Sequence, residues 1–453
     1  MNLLITYDLS FLVVFTIAVV IFLYMNKKKI SREGPMYLYK TQVGVKFIDF
    51  IGTKYGKFIR SLHYLVITIG YLLFAGILFV IGQTIYIYLK VPEITNIIKT
   101  PPLLPLIPYF PQIFGAQSLF PPFYFAYFLI ALIVVAFSHE FAHGIFARAN
   151  NVRIKSTGVA FLGPILGAFV EQDDKQMTKK AKIPQMAILG AGVFANLIMA
   201  TIFFLLLLAT FHTLFVPAGA VFSTYSYSVI NNSEITGINN LSDQLLRIST
   251  TDGNYLITPE SLATQINLSR DYTIAYFDAP AIKAGLDGAV QSIGEYEVRD
   301  FNGFAAAMDN YGPGDNVIIK TTMGDYNITF AEHPENSSKA FVGVGFRDSG
   351  SQRLLSKIFV FKNPSTYYEP LTFFSQFSYD LFWWVAMINL MVGLFNMLPF
   401  GFLDGGRFFY LTMLGITKSE KKAEKAFKIA TKVVAGLFVA LILVWLISFK
   451  LKG

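Results

Sequence analysis

One stretch constrains this chain more than any other: an apolar run, Phe123 to Phe137, that ends in His139-Glu140-Phe141-Ala142-His143. On a helix turning about 100° per residue, His139, His143 and Glu140 fall near 0°, 40° and 100°, so three polar side chains share one face of one turn. Ionisable groups in a membrane segment are costly and persist where they do chemistry. Two imidazoles one turn apart can ligate one Zn²⁺. The glutamate beside them is positioned to take a proton from a metal-bound water rather than to bind the metal.

Composition says what surrounds this turn. A mean hydropathy of +0.51, with 54% hydrophobic and 15% charged residues, describes a polytopic membrane protein. The absence of cysteine excludes disulfides, thiolate zinc ligands and thiol nucleophiles, so metal ligands must be His or carboxylate. A formal charge of +8 would suggest nucleic acid in a soluble chain. Here the charge lies in loops between apolar runs, and no nucleic-acid partner is expected. The first run, Leu9 to Met25, is followed by Asn26-Lys27-Lys28-Lys29, the pattern of a retained helix whose C-terminal end is cytoplasmic rather than of a cleaved leader.

In order, residues 1–90 are expected to form an N-terminal two-helix membrane extension, with Tyr64 to Leu89 as its second span. Residues 27–60 between the two carry nine Lys/Arg against two acids. Residues 91–121 form a Pro-rich extracytoplasmic loop, where Pro101, Pro102, Pro105, Pro108 and Pro111 exclude a regular spanning helix. The first half of a membrane core follows over 122–212. Its motif helix runs inward, and the seven Lys/Arg and three acids of residues 148–182 put His139 and His143 nearer the cytoplasmic face. The run Gly158 to Val170 is apolar but too short and too broken to span, and is expected as a re-entrant hairpin turning at Gly163-Pro164; a surface hairpin is the plainer alternative. A helix over about 185–211 carries Gly192 and Ala195, which permit close packing, and Asn196, a lone amide that needs a partner.

Residues 213–370 change character. Across 213–378 there are 17 acids and 10 Lys/Arg, with short strands and Gly/Pro/Asn turns, so a soluble, mainly-β domain outside the cytoplasm is expected. The sequons at Asn231, Asn240, Asn267, Asn327 and Asn336 all fall in it. The second half of the core, 371–453, supplies spans at about 379–398 and 430–449, making about six spanning helices. The stretch 405–432, with seven Lys/Arg and two acids, is expected as a cytoplasmic linker, and Thr417-Lys418-Ser419-Glu420 as a capping box.

A zinc ion held by two His needs a further protein ligand. The best candidate is Asp404, where Pro399, Gly401, Gly405 and Gly406 break a spanning helix. An ordinary surface turn remains the alternative for that D-G-G stretch. Zn²⁺ with Asp404 and Glu140 both ionised is formally neutral, as a low-dielectric site requires.

Taken together, His-Glu-Phe-Ala-His on one membrane helix, Gly192 to Asn196 on a second, and Asn396-x-x-Pro399-x-x-x-Leu403-Asp404-Gly405-Gly406 on a third resemble, in the same order, the site-2 protease family of intramembrane zinc metalloproteases. The resemblance implies zinc on His139, His143 and Asp404, Glu140 as catalytic base, and an oxyanion-side role for Asn196. The family's middle motif is usually G-P-x-x-N, and Val193 stands where the proline would be. Ala279 to Leu286, Pro313-Gly314-Asp315 and Phe341 to Val344 resemble the family's PDZ-like insert over 271–347, with 217–270 as permuted first strands plus an insertion. The implied activity is zinc endopeptidase action on transmembrane or membrane-adjacent segments, as in regulated intramembrane proteolysis, with membrane lipid, a transmembrane protein substrate and a peptide ligand of the PDZ-like domain as partners. The implied setting is the cell membrane of a prokaryote. The competing readings are a non-catalytic membrane receptor or scaffold and, more remotely, a zinc hydrolase of prenylated or lipid substrates.

Overall fold

The computed structural model describes residues 3–90, 106–346 and 361–450, apart from Pro35, Ser118, Pro164, Asp243 and residues 268–270. Pro101, Pro102, Pro105 and the expected turn residue Pro164 lie outside the described residues. The chain divides into two compact units, Met1–Thr210 with Gln376–Gly453, and Phe211–Ser375.

The helices in chain order are α1 (Leu3–Met25), α2 (Val45–Lys54), α3 (Gly56–Ser61), α4 (His63–Lys90), α5 (Phe110–Ile113), α6 (Phe125–Ala149), α7 (Asp174–Thr178), α8 (Lys182–Leu214), α9 (Pro259–Asn267), α10 (Pro280–Ala284), α11 (Phe301–Met308), α12 (Phe373–Asn396), α13 (Asp404–Thr417) and α14 (Glu420–Lys450). Among the described residues six of them, α1, α4, α6, α8, α12 and α14, are long and apolar enough to cross a membrane. With these helices and its β-rich second unit, the chain is a multi-pass membrane protein carrying a β domain.

Two differences from the sequence expectation have plain causes. Residues 404–417 are a helix rather than a linker. Only Arg407 among them is basic, and buried Gly405, Gly406, Phe408 and Leu411 form an apolar face. The charge that suggested a loop lies beyond Lys418, on the exposed first turns of α14. The cap of α14 is Ser419 rather than Thr417, with the Lys422 amide 3.5 Å from its hydroxyl.

The motif helix α6 is fixed at both ends by other elements. At its start the N-cap residue Tyr124 makes no side-chain cap. Asp8 of α1 replaces it, accepting from the Phe125 amide at 2.6 Å, the Ala126 amide at 3.1 Å and the Tyr109 hydroxyl. A carboxylate at a helix N-terminus satisfies orphan amides and complements the helix dipole, worth about 1 kcal/mol. Phe11 and Phe15 of α1 pack on Phe125 beside it. At the other end, Arg148 pairs with Asp49 of α2 at 2.8 Å, and Arg60 of α3 donates to the Ala149 carbonyl. Residues 1–90 therefore help to hold the motif helix.

They also help to build a sheet. Four antiparallel strands run in the order β1 (Ile30–Glu33), β2 (Met36–Thr41), β3 (Ile154–Leu162) and β4 (Ile165–Gln172). The register pairs Tyr37 with Phe161 across β2–β3, and Thr157 with Val170 and Leu162 with Ile165 across β3–β4. Gly163 turns this hairpin at φ +59, a left-handed conformation that favours glycine. β4 is an edge strand, packed beside α6. Three strands are tied on one face by Glu171, which accepts from Ser156 at 2.7 Å and Lys40 at 2.9 Å. These two donors hold its carboxyl below the usual glutamate range.

The second unit holds two larger antiparallel sheets. One orders its strands Tyr227–Asn231, Tyr272–Phe277, Asn254–Ile257, Leu246–Thr250, Ile235–Asn240; the other runs Gly324–Thr329, Asn316–Thr321, Val290–Ile293, Phe215–Ala220, Thr366–Pro370. Strand Tyr272–Phe277, grouped by the sequence with residues up to 347, pairs with residues 227–231 in the first sheet. The second sheet covers a core of Leu286, Val290, Ile293, Phe304, Ile319 and Phe330.

Candidate metal centre

Three atoms from two distant segments meet in the first unit. His139 Nε2 and His143 Nε2 are 3.1 Å apart, and Asp404 Oδ2 lies 3.1 Å from the first and 3.2 Å from the second. The histidines come from one turn of α6, as the i, i+4 spacing requires. Asp404 opens α13, where the chain re-enters a helix after Pro399 and Gly401. All three are shielded: the His139 and Asp404 side chains are 10% and 22% exposed.

The donor set fits a tetrahedral cation. With bonds of about 2.0–2.1 Å, the ligand atoms of a tetrahedral zinc stand roughly 3.3–3.4 Å from one another, within a few tenths of the separations here. Lone pairs from two imidazoles and a carboxylate converging at such distances repel unless a cation or a shared proton lies between them. His139, His143 and Asp404 form a group able to hold a metal ion.

Helix α8 supplies what stands behind the imidazoles. His143 Nδ1 donates to the Ile188 carbonyl at 2.7 Å, and because a carbonyl can only accept, the proton is on Nδ1, which in the neutral ring leaves the Nε2 lone pair for a metal. Four residues on, Gly192 faces both rings. A Cβ there would stand 2.5 Å from His139 Cε1 and 2.5 Å from His143 Nε2, so no side chain is tolerated without moving a ligand. Four residues further, fully buried Asn196 presents its amide to His139, with Nδ2 3.1 Å from Nδ1.

Glu140 reaches the sheet instead. Its Oε2 accepts from the Val170 amide of β4 at 3.0 Å, and it takes no part in the cluster of His139, His143 and Asp404. Two groups here escaped sequence reasoning, the Ile188 carbonyl and the Val170 amide. Both are backbone atoms, and no residue type announces them.

A sequence model of Peptidase family M50 matches residues 127–442, about two thirds of the chain, and takes in both histidines, the glutamate and Asp404. The chain belongs to Peptidase family M50. This is the site-2 protease family of zinc metalloproteases, and zinc is its cofactor. Among curated relatives, the M50 chain is 47% identical to an uncharacterized protein of Methanocaldococcus jannaschii over 72 residues, 16% of this chain and 20% of that one. It is 23% identical over 335 residues, 66% of this chain and 91% of the relative, to a Clostridium perfringens protein named "Putative zinc metalloprotease". The chain thus spans a fifth of the first relative's length and nine tenths of the second's.

Proposed function

We propose that this M50 chain is an intramembrane zinc endopeptidase that hydrolyses peptide bonds within or beside membrane spans. The observation that carries the reading is the meeting of His139, His143 and Asp404 on apolar helices, with Glu140 one residue from the first ligand and bound to an edge strand. Bound at these three ligands, zinc supplies Lewis acidity and a water of lowered pKa. Glu140 takes the proton of the attacking water and delivers it to the leaving nitrogen. The Ile188 carbonyl keeps the His143 ring oriented throughout.

A transmembrane substrate arrives as a helix whose amides are paired internally, and unwinding it in lipid leaves polar groups unsatisfied at several kcal/mol each. β4 answers that cost. The Val170 amide points away from β3 to Glu140, so by the two-residue period the amide and carbonyl of Ala168 face the same free edge. An extended substrate paired there is held beside the base through its backbone, without regard to side-chain identity. This reading takes the β3–β4 hairpin as re-entrant and the metal centre as nearer the cytoplasmic side, in keeping with the basic loops that flank the site helices.

The test is direct. Purified protein should contain about one zinc per chain and cleave members of a panel of single-span peptides, with a chelator abolishing cleavage. A zinc-loaded, folded protein that cuts none of them would point instead to the scaffold reading.

The second unit is read as an extracytoplasmic, PDZ-like filter that admits substrates with short or trimmed ectodomains, by size or by C-terminal capture. Its acidity, opposite in sign to the basic loops, supports that side. Replacing about residues 217–365 by a short linker should broaden substrate use and leave zinc bound. Loss of cleavage even of minimal peptides would count against the filter.

A further inference from the structure

We propose that Asn196 acts on the metal through His139: its side-chain carbonyl accepts the Nδ1 proton and so keeps the Nε2 lone pair turned toward the metal. The inference rests on the zinc reading above and replaces the oxyanion-side role expected from sequence.

The location of Asn196 decides between the two roles. An oxyanion donor must reach the face where the ligands converge, which is the Nε2 side of His139. Asn196 meets the ring at Nδ1, the other nitrogen, and is 0% exposed. A neutral imidazole has one N–H, so an Nε2 that gives its lone pair to a cation leaves the proton on Nδ1, where it needs an acceptor. With Nδ2 turned to the ring, Nδ1 would have to accept, the proton would sit on Nε2, and the ligand would be closed to the metal. In that orientation the Asn196 Oδ1 is buried without a hydrogen-bond partner. A half-turn of the amide exchanges its ends with almost no change of shape and removes both conflicts, since Oδ1 then receives the Nδ1 proton.

α12 closes over Asn196 at Gly393, where an added Cβ would lie 3.7 Å from the Asn196 Cβ.

The same logic already operates on the other ligand. Ile188, Gly192 and Asn196 are spaced four apart along one face of α8. Ile188 offers its backbone carbonyl to His143 Nδ1, and Gly192 leaves room for both rings. Asn196 offers its side-chain carbonyl to His139 Nδ1. One stripe of one helix thus sets the tautomer of both histidines. His139 faces the side chain of Asn196 where His143 faces a backbone carbonyl, which is why this position calls for a residue with its own acceptor.

The experiment compares the full chain with Asn196→Leu, which keeps the volume and removes the acceptor, and Asn196→Asp, which presents an acceptor in either orientation. Zinc affinity is read by competition with a chelator, and ligand geometry by the visible spectrum of the Co²⁺-substituted protein. Asn196→Leu should bind zinc about 10–100-fold more weakly, with altered Co²⁺ bands and turnover largely restored at saturating zinc. Asn196→Asp should stay within about threefold of wild type or bind more tightly. Wild-type zinc affinity in Asn196→Leu with turnover lost would make Asn196 an oxyanion donor and overturn the proposal, and so would Asn196→Asp binding zinc more weakly than Asn196→Leu. A wild type that holds no zinc would overturn this inference and the zinc reading together, whereas one that holds zinc but cleaves nothing would overturn the protease reading alone.

Discussion

The metal centre has a helix-borne half and a strand-borne half, and the two are built by different rules. On α6, α8 and α13 each residue of the site is fixed by a local repeat or helix start: His139 and His143 by i, i+4, Ile188, Gly192 and Asn196 by fours, Asp404 by the first turn after Pro399. On the strand side, β4 belongs to a sheet assembled from residues 30–41 and 154–172, and it touches the site through one backbone amide. On the proposed function, metal binding and substrate handling are separable here: the first rests on side chains and the Ile188 carbonyl, the second on main-chain atoms of β4.

If that division is right, the largest effect belongs to the helix-borne half. Asp404→Ala or His139→Ala removes one of three ligands and should lose both zinc and turnover, to the limit of detection, as measured by metal content after dialysis and by peptide cleavage. Full zinc retention in Asp404→Ala would break the ligand assignment.

Gly192→Ala should come next. Its methyl would enter space held by His139 Cε1 and His143 Nε2, and overpacking of this kind costs about 1–3 kcal/mol. Lower thermal stability together with weaker zinc binding is the expected result; unchanged zinc affinity would mean that the rings have room the structure does not give them.

The strand-borne half should respond in the opposite sense. Ala168→Pro deletes an amide on the free edge and should cut turnover about tenfold, the worth of one hydrogen bond, with zinc content unchanged. Substrates with a destabilised helix should recover part of the loss. Phe169→Pro is the control: its amide faces β3, so it should weaken the fold instead. Normal cleavage by Ala168→Pro would reduce β4 to a structural hairpin.

Part of this arrangement is legible in the sequence alone. The apolar runs foretold the spanning helices because hydropathy over some twenty residues is a local property. They misjudged where α12 and α14 begin, since Ser375, Gln376, Ser378 and Asp380, and the lysines after 420, lower the hydropathy of turns that are nonetheless helical. The His139–Glu140–His143 face follows from helix period alone, and Asp404 came within reach only because candidate carboxylates in the membrane part are few. The pairing of β2 with β3 joins residues about 120 apart, and no periodicity records it. The Asp8 cap of α6 is likewise a contact between two helices over a hundred residues apart, and a lone acid near the start of an apolar run gives no sign of its partner. Asn196 was visible as an amide in need of a partner; which nitrogen of which ring it meets is a matter of three-dimensional packing.

The central claim is that one face of α6 divides its labour, with His139 and His143 holding the metal and Glu140 moving the proton. The most direct measurement compares wild type with Glu140→Gln, zinc content and single-turnover cleavage being read on the same preparations. Glu140→Gln should keep about one zinc per chain and lose about 10²–10⁴-fold in rate. Loss of zinc from Glu140→Gln, or cleavage at the wild-type rate, would contradict that division.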